Sequence, residues 1–216
     1  MVRSTLRGFR SRTGSTVTDT APSRVLLRRT ATVVSEVFAP VVLVVTVLPV
    51  VGWSSTHSLA GVGWGLFAVL FCAVVPYAVV LVGVRRGHWS DHHIRDRSQR
   101  TVPFLIAIGC VAAGTAALAV LDAPRAVLAL VVAMLAGLVS TTVVTRWWKI
   151  SVHTAVAAGV ASVLTLVYGP MLAVTFPLVA CVGWSRVELD CHTTAQTVAG
   201  ALLGTVVCVL FFTLLR

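Results

Sequence analysis

The chain has 216 residues, of which 57% are hydrophobic and only 11% charged, and its mean hydropathy is +0.95. A soluble domain carries about 25% charged residues and needs a polar shell around its core, so these values exclude a disordered chain, a secreted disulfide scaffold and a water-soluble enzyme. They describe an integral membrane protein. The net charge is +10, from 17 basic and seven acidic residues, and Lys149 is the one Lys among the basic residues. Such a charge can attract nucleic acid, but membrane orientation accounts for it more cheaply, and no nucleic-acid partner is expected. The Arg-, Ala- and Val-rich composition is that of a GC-rich bacterial genome. Cys72, Cys110, Cys181, Cys191 and Cys208 form no CxxC pair, which points to buried thiols rather than disulfides or a zinc site.

In chain order, residues 1–30 read as a flexible basic cytosolic tail, rich in Arg, Ser and Thr with Asp19 as the single acid. The tail lacks the apolar core of a secretory signal, and an organellar transit peptide ranks below it. Arg28 and Arg29 stand at the mouth of the first apolar run, where lipid headgroups are expected. Runs long enough to approach a bilayer crossing follow at Ala31–Gly52, Leu59–Val84, Val102–Leu121, Ala126–Thr145, Thr154–Val167, Pro170–Trp184 and Thr197–Leu215. The fifth and sixth are short against the roughly 20 residues a crossing needs. The fold expected is therefore an all-α polytopic transmembrane bundle of six or seven spans over residues 31–216. Pro40, Pro49 and Pro76 lie inside these runs, which a helix within a bundle tolerates.

With seven crossings the N-terminus shares a face with the loops after the second, fourth and sixth spans. That face collects 15 of the 17 basic residues and leaves only Arg125 and Arg216 opposite. The positive-inside rule makes the rich face cytoplasmic, in what the composition suggests is a bacterial cell membrane. A one-helix miscount would turn the C-terminal third over.

The same three loops, Arg85–Arg100, Arg146–Thr154 and Trp184–Gln196, hold nearly all the remaining polar chemistry. Ionisable groups near membrane depth are costly and mark function. Arg and Lys side chains with helix N-terminal amides suit a phosphate dianion. Histidine can act as nucleophile or proton donor near neutral pH. Together they fit phosphoryl transfer through a phosphohistidine, with one imidazole attacking phosphorus and the other protonating the leaving alkoxide. That scheme requires no metal and no other cofactor.

Ser185-Arg186, five residues and His192 resemble the third signature of the type 2 phosphatidic acid phosphatase superfamily, which runs Ser-Arg, five residues, His, three residues, Asp. Ser151-Val152-His153 resembles its second signature, Pro-Ser-Gly-His. Arg100, with Pro103 close behind, loosely echoes the first, whose Lys position falls on His93. The likeness covers roughly residues 87–204. It implies a lipid phosphate phosphatase in which His192 is the nucleophile, His153 the general acid, and Arg186, Arg100 and Ser151 hold the phosphoryl oxygens. Spacing alone adds Lys149 and Arg97 as phosphate ligands. The substrate expected is a lipid phosphate or diphosphate, isoprenoid or glycerolipid, presented among membrane lipids.

The chain departs from the family pattern at Gln196, where the family has Asp, and at Ile150 and Val152, where it has Pro and Gly. Position i+4 on a helix lies beside His192, so Gln196 can accept its second ring N–H but cannot offset the imidazolium charge. Glu188 and Asp190 are nearby carboxylates that could do so. The alternative is an impaired lipid-binding or scaffold protein that kept the bundle and lost the chemistry. A metal site from His88, Asp91, His92 and His93 has no strong ligand spacing. Asp91 and Asp96 lack the second acidic cluster that a magnesium diphosphate site needs. No internal repeat favours a transporter. Trp147, Trp148 and Trp184 read as an aromatic belt. Gly61 with Gly65 and Gly200 with Gly204 read as close helix contacts.

Overall fold

The computed structural model describes residues 22–87 and 101–216, and among them every regular element is a helix. The order is α1 (Pro22–Val37), α2 (Pro40–Thr56), α3 (Leu59–Val69), a π-turn (Leu70–Val74), α4 (Val75–Arg85), α5 (Thr101–Val120) and α6 (Arg125–Thr145). Then come α7 (Val152–Tyr168), a 3₁₀ segment (Pro170–Thr175), α8 (Phe176–Glu188) and α9 (Thr194–Leu215). Six helical stretches are long and apolar enough to cross a membrane: Ser23–Thr56, Leu59–Arg85, Thr101–Val120, Arg125–Thr145, Pro170–Glu188 and Thr194–Leu215. Helix α7 is apolar but shorter, at 17 residues. The protein is an all-α polytopic bundle and an integral membrane protein.

The first apolar run is not one straight helix. Proline disfavours a helical conformation in the residue before it, and Ala39 is extended (φ −60°, ψ 145°) with Pro40 opening α2. The expectation that Pro40 would be absorbed within a continuous span is corrected by this break. Residues 22–30, read from the sequence as the end of the tail, form the first turns of α1; residues 1–21 lie outside the described residues. Pro76 is handled differently. The Val75 N–H reaches back to the Leu70 carbonyl, a five-residue spacing, so the π-turn re-registers the hydrogen bonds just before the proline.

Two close contacts organise the bundle. Helices α2 and α3 form a hairpin turned by His57 in the left-handed conformation (φ 50°). A Cβ on Gly61 would strike the Gly52 carbonyl, and one on Gly65 would strike the backbone at Leu48 and Pro49. Helices α7 and α9 meet in the same way, with Gly200 against the Ser151 carbonyl and Gly204 against the Ala155 carbonyl. Backbone approach of this kind is how membrane helices gain dispersion energy without help from water. The α7 face is built from Ala155, Ala157, Ala158, Gly159, Ala161 and Ser162, all buried. That places α7 at the centre, against α2, α8 and α9. Its modest length and small side chains reflect a helix surrounded by protein rather than lipid.

Helix α1 stands apart from the α2–α3 hairpin and packs on α8. Its inward stripe is Ala31 and Ser35, one turn apart and nearly inaccessible, while Leu26, Leu27, Val33 and Val37 face outward.

Candidate functional site

The site is assembled at the junctions of α1, α7, α8 and α9. Helix α8 ends at Glu188, and Asp190 takes a left-handed conformation (φ 54°) that reverses the chain. Asp and Asn tolerate this region better than most residues. The Cys191 and His192 N–H groups then both donate to the Arg186 carbonyl, at 3.0 and 3.2 Å. The five-residue spacing between Arg186 and His192 is therefore the length of a helix C-terminal reversal, which satisfies an otherwise open carbonyl and folds His192 back towards Arg186.

Helix α9 begins directly after. Thr193 caps it, accepting from the Gln196 N–H at 3.3 Å, while Gln196 Oε1 accepts from the Thr193 N–H at 3.2 Å. This reciprocal capping box orients the Gln196 amide, because the atom receiving a backbone N–H must be its oxygen. The same oxygen lies 3.1 Å from His192 Nδ1, so Nδ1 carries the hydrogen and donates it. Gln196 thus orients the ring through its Nδ1–H while bringing no charge. Of the two carboxylates considered for that place, Asp190 is exposed and pairs with Arg28. Arg28 is thereby tied to the α8–α9 loop.

Helix α7 starts one residue before His153, with Ser151 as its cap. Ser151 is fully buried. Its hydroxyl accepts from the Thr154 N–H at 3.4 Å and its own N–H donates to the Gln196 carbonyl at 3.1 Å. Ser151 joins the two helix starts and is not part of the cavity wall. Thr154 Oγ1 reinforces the joint by donating to the Thr197 carbonyl at 2.8 Å. Lys149 Nζ donates to the Cys191 carbonyl at 2.9 Å, tying the loop before α7 to the loop before α9. Lys149 and Ser151 therefore hold the site's frame, whereas spacing suggested Lys149, and the family resemblance Ser151, as phosphate ligands.

His153, Arg186 and His192 line one cavity of about 460 Å³ and all are buried. Arg186 Nη1 donates to Ser35 Oγ on α1 at 2.6 Å, which ties the guanidinium to α1. The remaining wall is largely apolar, with Val44 from α2, Tyr77 and Val80 from α4, Phe104 from α5, Met134 from α6 and Leu203 from α9. The volume falls within the range of small-molecule sites. Arg97 and Arg100 lie outside the described residues, as do His88, Asp91, His92, His93 and Asp96. Among the described residues no group of three or more His, Cys, Asp or Glu is placed to hold a metal ion.

Sequence reasoning passed over Ser35 and Glu36. Ser35 holds Arg186, and Glu36 lines the cavity beside it. Glu36 carried a readable signal, since it is the only ionisable residue in the first apolar run and acids at membrane depth need a reason. Ser35 carried none.

Comparison with family models, curated proteins and solved structures finds no match.

Proposed function

We propose that the protein is a membrane-embedded phosphatase that removes phosphate from a lipid phosphate or diphosphate through a phosphohistidine. The single observation that carries this reading is the cavity: two imidazoles and a buried Arg share its lining with an otherwise largely apolar wall. Such a space matches an amphiphile, with the phosphoryl group at Arg186 and the hydrocarbon among α2, α4, α5 and α6. The N-terminal ends of α7 and α9 carry His153 and His192 near their first turns, and their positive dipole ends add to the attraction for an anion.

In this scheme His192 Nε2 attacks phosphorus and the P–O bond to the lipid breaks. His153, starting protonated, gives its proton to the leaving alkoxide. Arg186 stabilises charge on the equatorial oxygens. Water then attacks the phosphohistidine, its proton passes to His153, and the P–N bond breaks to release phosphate. The Gln196 hydrogen bond supports the first step because it orients the ring through Nδ1 and leaves Nε2 as the attacking nitrogen. In this reading the site faces the cytoplasm of a bacterial cell, which the basic loops support through the positive-inside rule.

The test is phosphate release by purified protein from diacylglycerol phosphate and from polyprenyl phosphate and diphosphate in mixed micelles. Turnover is expected with at least one class, and His192→Ala should abolish it, by about 10⁴-fold or more. Acid quench with labelled substrate should trap label on His192. No release from any of these lipids, together with no trapped label, would overturn the proposal. Binding without release would instead favour an impaired lipid-binding protein, a reading that the neutral Gln196 supports.

A further inference from the structure

Among the described residues, three glycines line the cavity: Gly137 on α6, Gly159 on α7 and Gly204 on α9. Close packing explains two of them. A Cβ on Gly159 would strike Cys208 Sγ, and one on Gly204 would strike the Ala155 carbonyl. Gly137 is different. A Cβ there would meet only Val207 Cγ1, at an ordinary 3.9 Å, so neither packing nor helix propensity calls for glycine. What its missing side chain leaves is space.

That space belongs to the cavity. Leu130, Ala133, Met134, Leu138 and Thr141 also line it, and residues three, four and seven apart share one face of a helix. Gly137 stands in the middle of that stripe. Its level in the bundle follows from the helix contacts. Gly200 faces the Ser151 carbonyl and Gly204 the Ala155 carbonyl, so α7 and α9 run parallel, with Gly204 level with Ala155. Val207, against which Gly137 packs, is then level with Ala158, five residues past His153. At about 1.5 Å of rise per residue, Gly137 lies about 7 Å further along the bundle than His153. The lining continues beyond that level, to Val160 on α7 and, because residues 146–151 join the end of α6 to the start of α7, back to Leu130 on α6. A chain attached to a phosphate at His153 and Arg186 must pass Gly137 to occupy the rest of the cavity.

We propose that Gly137 is the specificity-determining residue of this cavity, the open position past which one hydrocarbon chain of a lipid phosphate is threaded. The volume of about 460 Å³ falls in the lower half of the range for small-molecule sites, which suits a single chain of moderate length rather than a pair. This role rests on the phosphatase reading for the headgroup alone, and the seat of the chain can be measured by binding without turnover. Long side chains on a helix lean towards the preceding turn, here Ala133 and Met134. A larger residue at 137 therefore fills the passage on the side away from His153.

The experiment is calorimetry on detergent-solubilised full-length protein. Orthovanadate probes the anion site alone, geranyl and farnesyl phosphonate a shorter and a longer prenyl chain, and hexadecyl phosphonate a straight chain. Gly137→Leu should weaken farnesyl or hexadecyl phosphonate about tenfold or more, the discrimination a small change of size gives in an apolar pocket, and leave vanadate unchanged. Loss confined to farnesyl phosphonate identifies a prenyl substrate, loss confined to hexadecyl phosphonate a straight-chain one, and loss of both a site that accepts either. Geranyl phosphonate should lose less, so that preference moves to the shorter chain. Gly137→Ala should act in the same direction by a smaller factor, and it carries the test if thermal unfolding shows that leucine is not tolerated. Gly109→Leu is the matched control: Gly109 on α5 is equally unobstructed, exposed and outside the lining, and its substitution should change no affinity. Unchanged phosphonate binding in the Gly137 variants, an equal loss of vanadate, or an equal loss in Gly109→Leu overturns the inference. If the chain dependence appears but wild-type protein releases phosphate from no lipid, the phosphatase reading fails and the chain site at Gly137 stands.

Discussion

The α2–α3 hairpin and the α7–α9 pair use one packing device for different ends. Both bring backbones together where a glycine faces a carbonyl, Gly61 against Gly52 in one and Gly204 against Ala155 in the other. The hairpin adds little else: its turn is His57, and its outer surface includes exposed Trp53, Leu59 and Leu66. The α7–α9 pair adds hydrogen bonds between its helices and a side-chain cap at each start. Thr154 reaches the Thr197 carbonyl, Ser151 reaches Gln196, and Thr193 and Ser151 cap. Close packing alone gives a scaffold. Close packing with a side-chain cap on each start gives two helix ends whose side chains stand in a fixed relation, and those ends carry His153 and His192.

That contrast can be broken most forcefully at the glycines. Gly204→Val should prevent α7 and α9 from closing, costing several kcal/mol, and should abolish binding of orthovanadate measured by calorimetry along with the folded state. Gly61→Val should destabilise comparably in thermal unfolding, yet the fraction that folds should still bind vanadate, because the hairpin's imidazole, His57, does not line the cavity. Next in size is Thr193→Ala, which removes the α9 cap at a cost of about 1 kcal/mol. Loosening Gln196, it should also broaden the His192 Nδ1–H resonance. Thr154→Val should cost about 0.6 kcal/mol, the typical worth of a hydrogen bond between membrane helices. Arg28→Ala should have the smallest effect on stability, below about 1 kcal/mol, because both partners of its ion pair with Asp190 are exposed.

Much of this contrast was legible in the sequence, for local reasons. Apolar runs report spans because no water is available to backbone groups in the bilayer, and the spacing of Gly200 and Gly204 reports one face of a helix. The run from Ser185 to Gln196 could be read because a helix end, a reversal and a capping box are all short-range chemistry. What was not legible is tertiary. Ser35 meets Arg186 across 151 residues, and no periodicity in one sequence announces such a pair. Ser151 looked like a phosphate ligand because its hydroxyl sits beside His153, yet a hydroxyl at a helix start is drawn to the free backbone N–H groups there. Pro40 was read as tolerated within a span, whereas its effect on Ala39 was to divide the run and release α1 to reach α8.

The elbow at Ala39 has a consequence for assembly. Helix α1 is made well before its seat on α8: Arg28 and Asp190 are 162 residues apart. One wall of the cavity therefore waits, undocked, while the intervening chain is threaded into the bilayer. Long-range closures of this kind come late in folding, so the complete anion cradle should exist only once translation has passed the α8–α9 loop. A chain released before that point would hold the apolar scaffold but an unfinished cavity.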